Sequence, residues 1–385
     1  MMTISDIDLL CRDELREAVE ANLSRRPTDI ALDKRVPHAS LVATQVKYLQ
    51  RAADKLPAMY AARCIIPPRA FEQSSSEVCA AHKPISGHSV ADLTCGLGVD
   101  AAALSRRFER VVAVERDEVL AAVARENFSR LGIGNVEVVC ASAEEWVGSC
   151  SERFDWIYAD PDRRDADGRK MVCMEHCSPD VLSLRERLAL LAPRMAVKCS
   201  PLFDCDEAFR LFSPCRVEVV SLGGECKEVD IYTGEEPDML HAVALGQGEC
   251  SFPSDAPHAE PCGEPFRADA GWRYLITPDV SLLKARRAID SLGAEASMWS
   301  AGGYAFCHEL PQRTFLGRVD EIAEIEEYRP KALRRRYAGV GVEVLKRDCR
   351  LSVDAIRRAA ALRPGADVRI AFTDIGGKTW AIRLK

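Results

Sequence analysis

From Ser89 to Tyr232 the 385-residue chain alternates short apolar runs with amphipathic segments. Strands are expected at 90–94, 110–115, 136–140, 154–159 and 194–199, and helices at 100–108, 118–131, 179–191 and 205–212. Nearly continuous apolar strands separated by helices bury both faces of a parallel sheet. The fold class is α/β, a doubly wound and mostly parallel sheet whose edge the strands near 217–222 and 229–232 can close as an antiparallel pair.

Around this core the chain reads as four domains. Residues 1–85 form a helical cap, with helices at Asp6 to Asn22 and at Ala39 to Lys55 before the stop at Pro57. The stretch 65–89, punctuated by Pro67, Pro68, Ser74 to Ser76 and Pro84, reads as a linker into the sheet domain at 86–250. Pro253, Pro257, Pro261 and Pro265 mark the boundary after it, and small α+β domains are expected at 265–315 and 316–385. No apolar run reaches the roughly 18–20 residues of a membrane span. The first twenty residues carry Asp and Glu in place of a signal pattern, so a soluble, cytoplasmic protein is expected.

The sixteen cysteines are scattered singly and read as reduced, mostly buried thiols. Cys173, His176 and Cys177 are the one close grouping, and without a second ligand pair at zinc-like spacing no metal is assigned. The net charge of −7 is uneven. Residues 328–385 hold 15 Lys+Arg and 5 Asp+Glu, a net of +10, which leaves −17 for the chain before them. An acidic body ending in a basic module suggests contact with a polyanion; solvated, arginine-rich helix faces are the plainer account.

The strongest chemical signal is Asp92-Leu93-Thr94-Cys95-Gly96-Leu97-Gly98-Val99-Asp100, a buried strand running into a glycine-bearing turn at the start of a helix. Glycines there let a backbone approach a ligand at the carboxyl end of the sheet. The next strand ends in Glu115, placed to accept hydrogen bonds from both hydroxyls of a ribose. A nicotinamide dinucleotide and S-adenosylmethionine are the two candidate ligands. Asp100 at the helix N-terminus would repel a pyrophosphate but is acceptable beside a sulfonium with an amino group, which Asp92 also suits.

Asp92 to Gly98 followed by Val112-Ala113-Val114-Glu115 resembles motif I and its acidic successor in class I S-adenosylmethionine-dependent methyltransferases, which have a Rossmann-like fold. The whole chain is similar to a narrower bacterial group of such enzymes with a THUMP-like C-terminal domain. That likeness rests on Glu72-Gln73-Ser74-Ser75-Ser76, Asp160-Pro161-Asp162-Arg163-Arg164, Lys198-Cys199-Ser200-Pro201, Gly224-Glu225-Cys226-Lys227-Glu228 and the Gly376-Gly377 turn. It implies that Asp92, Thr94, Gly96, Gly98 and Asp100 line the methionine end of the cofactor and Glu115 its ribose. Ser142 occupies the usual position of the adenine-contacting acid, where Glu144 or a backbone amide can take over. Gln73 is the candidate for covering the ligand carboxylate, with a structural polar turn as the alternative.

Asp160-Pro161-Asp162-Arg163-Arg164 follows the apolar strand Trp156 to Ala159, where these enzymes keep motif IV. Asp160 then contacts the cofactor and orients the acceptor, and positioning supplies most of the catalysis of an in-line displacement. Arg163 and Arg164 clamp a phosphate or carboxylate of the substrate, or else pair with Asp162 and Asp165. Lys198, pointing inward, orients Asp160. Cys199 superficially matches the nucleophile of pyrimidine C5 methyltransferases, but its thiolate needs activation and Lys198, adjacent in sequence, lies on the opposite face of the strand. Lys227 and Glu228 approach the same rim or form a hairpin ion pair. The THUMP-like module implies RNA contact through Arg334, Arg335 and Arg336.

The expected function is S-adenosylmethionine-dependent methylation of structured RNA, tRNA or rRNA, by direct transfer to a base or ribose heteroatom. Two other readings fit the same residues: a methyltransferase acting on a protein or small molecule, and a non-catalytic RNA-binding protein that retains S-adenosylmethionine.

Overall fold

The computed structural model of the chain describes residues 2–162, 177–234, 237–311 and 315–385. By contact the chain forms two compact units, Met1–Cys215 with Val229–Glu236, and Arg216–Glu228 with Pro237–Lys385. These two units group residues by contact and do not coincide with the four domains read from the sequence.

In the first unit β1 (Gly87–Asp92), β2 (Phe108–Glu115), β3 (Val136–Cys140), β4 (Trp156–Ala159) and β5 (Arg194–Cys199) lie parallel in the order β3-β2-β1-β4-β5. After β6 (Cys215–Leu222), residues 229–232 of β7 (Glu225–Thr233) run antiparallel to β5. Val111, Val112, Ala113 and Val114 of β2 are all buried, as are the four residues of β4, which is the signature of a sheet covered on both faces. This is the Rossmann-like, doubly wound arrangement expected.

The helices before β1 share a core with this sheet domain. The helix Ala39–Lys55 buries Val42, Val46 and Leu49, spaced three and four apart, in one cluster with Leu97 and Val99 of the motif I turn and Val123 of the helix Glu118–Arg130. The expected linker at 65–89 holds the helices Pro68–Gln73 and Glu77–His82, and its entry is pinned by two buried amides. Gln45 donates to the Cys64 carbonyl at 2.7 Å and accepts from Ile66 N–H at 3.2 Å. Asn127, fully buried, accepts from Ile65 N–H at 2.8 Å and donates to the Ile65 carbonyl at 2.9 Å. Prolines broke the helical pattern without loosening the chain.

In the second unit β6 pairs in parallel with β8 (Met239–Ala244), and β8 pairs antiparallel with β9 (Gly248–Pro253). Part of the proline- and glycine-rich stretch read as a boundary is therefore strand, and β6 belongs by contact to this unit. A second sheet combines β10 (Tyr274–Pro278), β11 (Ser297–Met298), β12 (Ala305–Cys307), β13 (Gly317–Glu327), β14 (Gly341–Lys346), β15 (Arg363–Pro364), β16 (Val368–Ile375) and β17 (Lys378–Leu384) in the order β11-β12-β10-β13-β17-β16-β14-β15. The helices Pro330–Arg336 and Val353–Ala360 bury Leu333, Ile356 and Ala360 in one cluster with Val342, Ile370 and Phe372 of that sheet. Among the described residues no helix is long and apolar enough to cross a membrane.

The amide clasp yields a stability prediction. Asn127→Ala strands the buried N–H and C=O of Ile65 and should cost about 3 kcal/mol. Urea denaturation would then show a lower midpoint at an unchanged m-value.

Candidate functional site

The turn after β1 is organised by its own side chains. Asp92 Oδ1 accepts from the Thr94 N–H at 2.9 Å and from its hydroxyl at 3.2 Å. Thr94 Oγ1 in turn accepts from the Asp160 N–H at 2.7 Å, which fixes the end of β4 to the end of β1. Glu115, at the tip of β2, accepts from Gly96 N–H at 2.7 Å and from Asp117 N–H at 2.8 Å. Gly96 and Gly98 have φ of +55° and +86°, and a Cβ on Gly98 would lie 2.8 Å from the Phe128 ring. Only glycine meets both demands at Gly98.

One ammonium gathers the rest. Lys198 Nζ lies 2.7 Å from Ser75 Oγ and 3.4 Å from Asp100 Oδ2, and forms an ion pair with Asp160. Ser75 Oγ donates to Asp100 Oδ2 at 2.9 Å. Beside Lys198 in the β5–β7 register stands Asp230, buried and paired with the equally buried Lys83 at 2.7 Å. Burial works against ionisation of Asp100, but the ammonium groups of Lys198 and Lys83 outweigh it and hold this carboxyl below its ordinary range. Asp92 lacks such a partner: burial, with Asp100 and Asp160 nearby, raises it to about 7 against the hydrogen bonds from Thr94. Asp92 Oδ2 and Asp100 Oδ1 are buried with no hydrogen-bond partner among the described residues.

These groups border a cavity of about 1380 Å³. Thr94 to Leu97, Asp100, Glu115, Glu144 and Asp160 line it on the sheet side, and His38 to Leu41, Thr44 and Pro67 to Ser75, except the buried Phe71, line it from the N-terminal helices. Pockets for one drug-sized ligand span roughly 300–1,000 Å³, so a cofactor and part of an acceptor fit together. Unpartnered carboxylate oxygens beside a glycine turn suit a ligand with cationic groups and a ribose, which S-adenosylmethionine is.

Of the residues singled out in the sequence, Gln73, Thr94, Gly96, Asp100, Glu115 and Asp160 border this cavity, Asp92 lies beneath it, and Lys198 stands behind Asp160. Ser142 does not border it. Its hydroxyl forms a capping box with Glu145 at the start of the helix Ala143–Ser149, and Glu144 faces the cavity instead. Cys199 is buried and absent from the lining; Cys95 lines it, but burial pushes that thiol far up. Lys227 pairs with Glu225 at 2.6 Å, the plainer of its two readings. Arg163, Arg164, Cys173 and His176 lie outside the described residues. Among the described residues no group of three or more His, Cys, Asp or Glu side chains could hold a metal ion.

Sequence reasoning missed Ser75, which sat in a run of three serines with nothing local to separate them, and Arg116, whose Nη1 donates to Ser178 Oγ at 3.1 Å. Ser178 pairs by two backbone hydrogen bonds with Asp162, so Arg116 ties the ribose side of the cavity to the chain after Asp160.

Comparison with known proteins gives concordant results. Residues 90–178 match the model of a methyltransferase domain and residues 317–385 that of a THUMP domain-like family. An uncharacterized S-adenosylmethionine-dependent methyltransferase of Mycobacterium tuberculosis is 26% identical over 340 residues, 85% of this chain and 90% of that one. A tRNA/tmRNA (uracil-C(5))-methyltransferase of Neisseria meningitidis is 27% identical over 151 residues, 33% of this chain and 41% of that one. A solved structure from Porphyromonas gingivalis, described as a methyltransferase, superposes with a TM-score of 0.80 at 23% identity, covering 100% of this chain and 99% of that one.

The ion-pair cluster makes a testable demand. Lys198→Met removes the ammonium that keeps Asp100 ionised, so its carboxyl should rise above the unfolded value. Stability that the parent holds above about pH 4 is then lost. Thermal melts should show a deficit in K198M that widens from pH 4 to pH 8.

Proposed function

We propose that this chain, an S-adenosylmethionine-dependent methyltransferase with a THUMP-like C-terminal domain, methylates structured RNA by direct transfer to a nitrogen or oxygen atom. Bound in the cavity, S-adenosylmethionine supplies a methyl carbon on a positively charged sulfur and leaves as the neutral thioether. Asp92 and Asp100 would face its cationic groups, Gly96 would let the backbone approach, Gly98 packs on Phe128 to hold the turn, Glu115 would accept from the ribose, and Glu144 would take the adenine side. Asp160, with its side chain 35% exposed and braced by Lys198 and Thr94, orients an N–H or O–H of the acceptor. That braced carboxylate at the mouth of the cavity is the observation that carries the reading. Its ionised form accepts a hydrogen bond and so holds the acceptor's lone pair in line.

Support for RNA comes from how the second unit distributes charge. The acids of β13 neutralise much of the basic module: Glu324 and Glu326 take Arg336, Glu327 takes Lys378, Glu321 takes Lys385, and Asp320 takes Arg369. Arg329, Lys331, Arg334, Arg335, Arg357 and Arg358 have no ion pair among the described residues and lie on or beside the two helices that pack on that sheet. Such a face suits phosphates. Of the three arginines read as RNA contacts, Arg334 and Arg335 fit this role and Arg336 is committed to β13.

The buried position of Cys199 favours direct transfer over a covalent enzyme–base adduct. Asp160→Asn should lower methyl transfer to cellular RNA at least a hundredfold while S-adenosylmethionine binding by calorimetry changes less than fivefold. Cys199→Ser should keep activity within threefold. Replacing Arg334 and Arg335 by alanine should weaken RNA binding severalfold and reduce the salt slope by about 2; an unchanged slope would count against the RNA assignment.

A further inference from the structure

The helix Ala39–Lys55 carries more than the apolar stripe that joins it to the sheet domain. Residues three and four apart share a helix face, so Thr44, Lys47, Arg51 and Lys55 form a second stripe beside the buried one. Its N-terminal end reaches the cavity. Ser40 and Thr44 line the cavity wall, and the exposed Lys47 and Arg51 follow about one and two turns further along. A merely solvated face would leave such cations free to swing, but here two aromatic rings hold them. Lys47 Nζ lies 5.5 Å and the Arg51 guanidinium 5.3 Å from the centre of the half-buried Tyr48 ring. Arg51 and Lys55 lie 4.9 Å and 4.8 Å from that of Phe71, and Tyr48 packs edge-on against Phe71 with ring centres 5.6 Å apart.

The helix Pro68–Gln73 adds a fourth cation, Arg69, which is exposed and lines the same cavity. Glu72, one turn on and placed to neutralise it, is instead taken by Arg51, whose Nη2 donates to Glu72 Oε2 at 3.2 Å. The hydrogen bond from Arg51, with Lys55 and Lys47 close by, holds the Glu72 carboxyl below its ordinary range. Lys47 and Arg69 have no ion pair among the described residues. These two helices set Asp54 and Glu72 against four cations, at the rim of a cavity whose sheet side is lined by Asp100, Glu115, Glu144 and Asp160.

We propose that this face of the N-terminal helices is a second RNA-contacting surface, on which Lys47, Arg51 and Arg69 hold the sugar–phosphate backbone beside the target nucleotide as that nucleotide enters the cavity. The inference rests on the reading of the acceptor as RNA and goes beyond it by naming the segment that guides the strand. Cations repeated along a helix and interleaved with an aromatic ring match a backbone that repeats its phosphates. A small-molecule acceptor has no such repeat. The carboxylates of the sheet side repel phosphate, so the backbone stays on the helical rim and the target nucleoside faces Asp160. Contacts of this kind position the strand without choosing its sequence.

The test uses the full-length protein and RNA from cells lacking it. Lys47→Glu with Arg69→Glu should raise the RNA concentration for half-maximal methyl transfer at least fivefold, with kcat and the calorimetric affinity for S-adenosylmethionine each within twofold of the parent. In filter binding, Lys47→Ala with Arg69→Ala should reduce the slope of log affinity against log salt by about 1.4, at roughly 0.7 per single-strand phosphate contact. That reduction should add to the one from replacing Arg334 and Arg335. Lys47→Arg with Arg69→Lys should restore both readouts, and melting temperatures should stay at the parent value throughout, since both side chains are exposed. Unchanged half-saturation and salt slope, with the Arg334 and Arg335 substitutions still weakening RNA binding, overturn the proposal and leave the RNA reading in place. If neither set of substitutions changes RNA binding, both fall. Weaker S-adenosylmethionine binding at unchanged RNA affinity assigns Arg69 to the cofactor's carboxylate and likewise overturns the proposal.

Discussion

The ammonium of Lys198 is the interaction on which the cavity depends. It sits on β5 and joins three groups remote in sequence: Ser75 from the helical region before the sheet, Asp100 from the first turn after motif I, and Asp160 from the end of β4. Ion pairs this shielded owe their value to geometry, because desolvating each charge costs much of what their attraction returns. Here the geometry is shared. Removing the cation would take an ion-pair partner from two carboxylates at once, and the wall contributed by the N-terminal helices would lose one of its polar anchors to the sheet.

Much of this was legible in the sequence because it is encoded locally. The glycine turn, Glu115 at a strand tip and Asp160 after an apolar strand follow from the alternation of strand and helix, which repeats with little ambiguity along the first unit. What escaped required knowing which distant groups meet. Nothing in Ser74-Ser75-Ser76 marks the middle serine as the one reaching Lys198 and Asp100. Ser142 offers the opposite lesson: Ser142-Ala143-Glu144-Glu145 carries the capping-box pattern openly, and that local demand on the hydroxyl outcompetes a ligand role inherited by position. The prolines of 65–89 signalled interruption correctly but could not reveal that Gln45 and Asn127, 21 and 62 residues from the groups they bind, supply the hydrogen bonds a linker would have left to water.

The basic C-terminal module shows how counting along a chain misjudges a sheet. Starting at residue 328 collects the cations and leaves out β13, which ends one residue earlier and carries the acids. Antiparallel pairing lays β13 against β17, so Glu324 and Glu327 meet Arg383 and Lys378 from the far end of the module. The charge left over is smaller than the count suggests and is concentrated on the helical layer. For recognition of a polyanion the placement matters more than the sum.

The two amides that pin Cys64 to Ile66 also bear on how this protein can be divided. A fragment starting at residue 86 would contain every motif of the cofactor domain, yet it would leave Leu97, Val99 and Val123 facing water where Val42, Val46 and Leu49 now cover them. Asn127 would be left without its partners. Any lineage or design that exchanges the N-terminal helices to alter the acceptor must carry a replacement for that apolar cover, so the acceptor wall and the cofactor domain are constrained to change together.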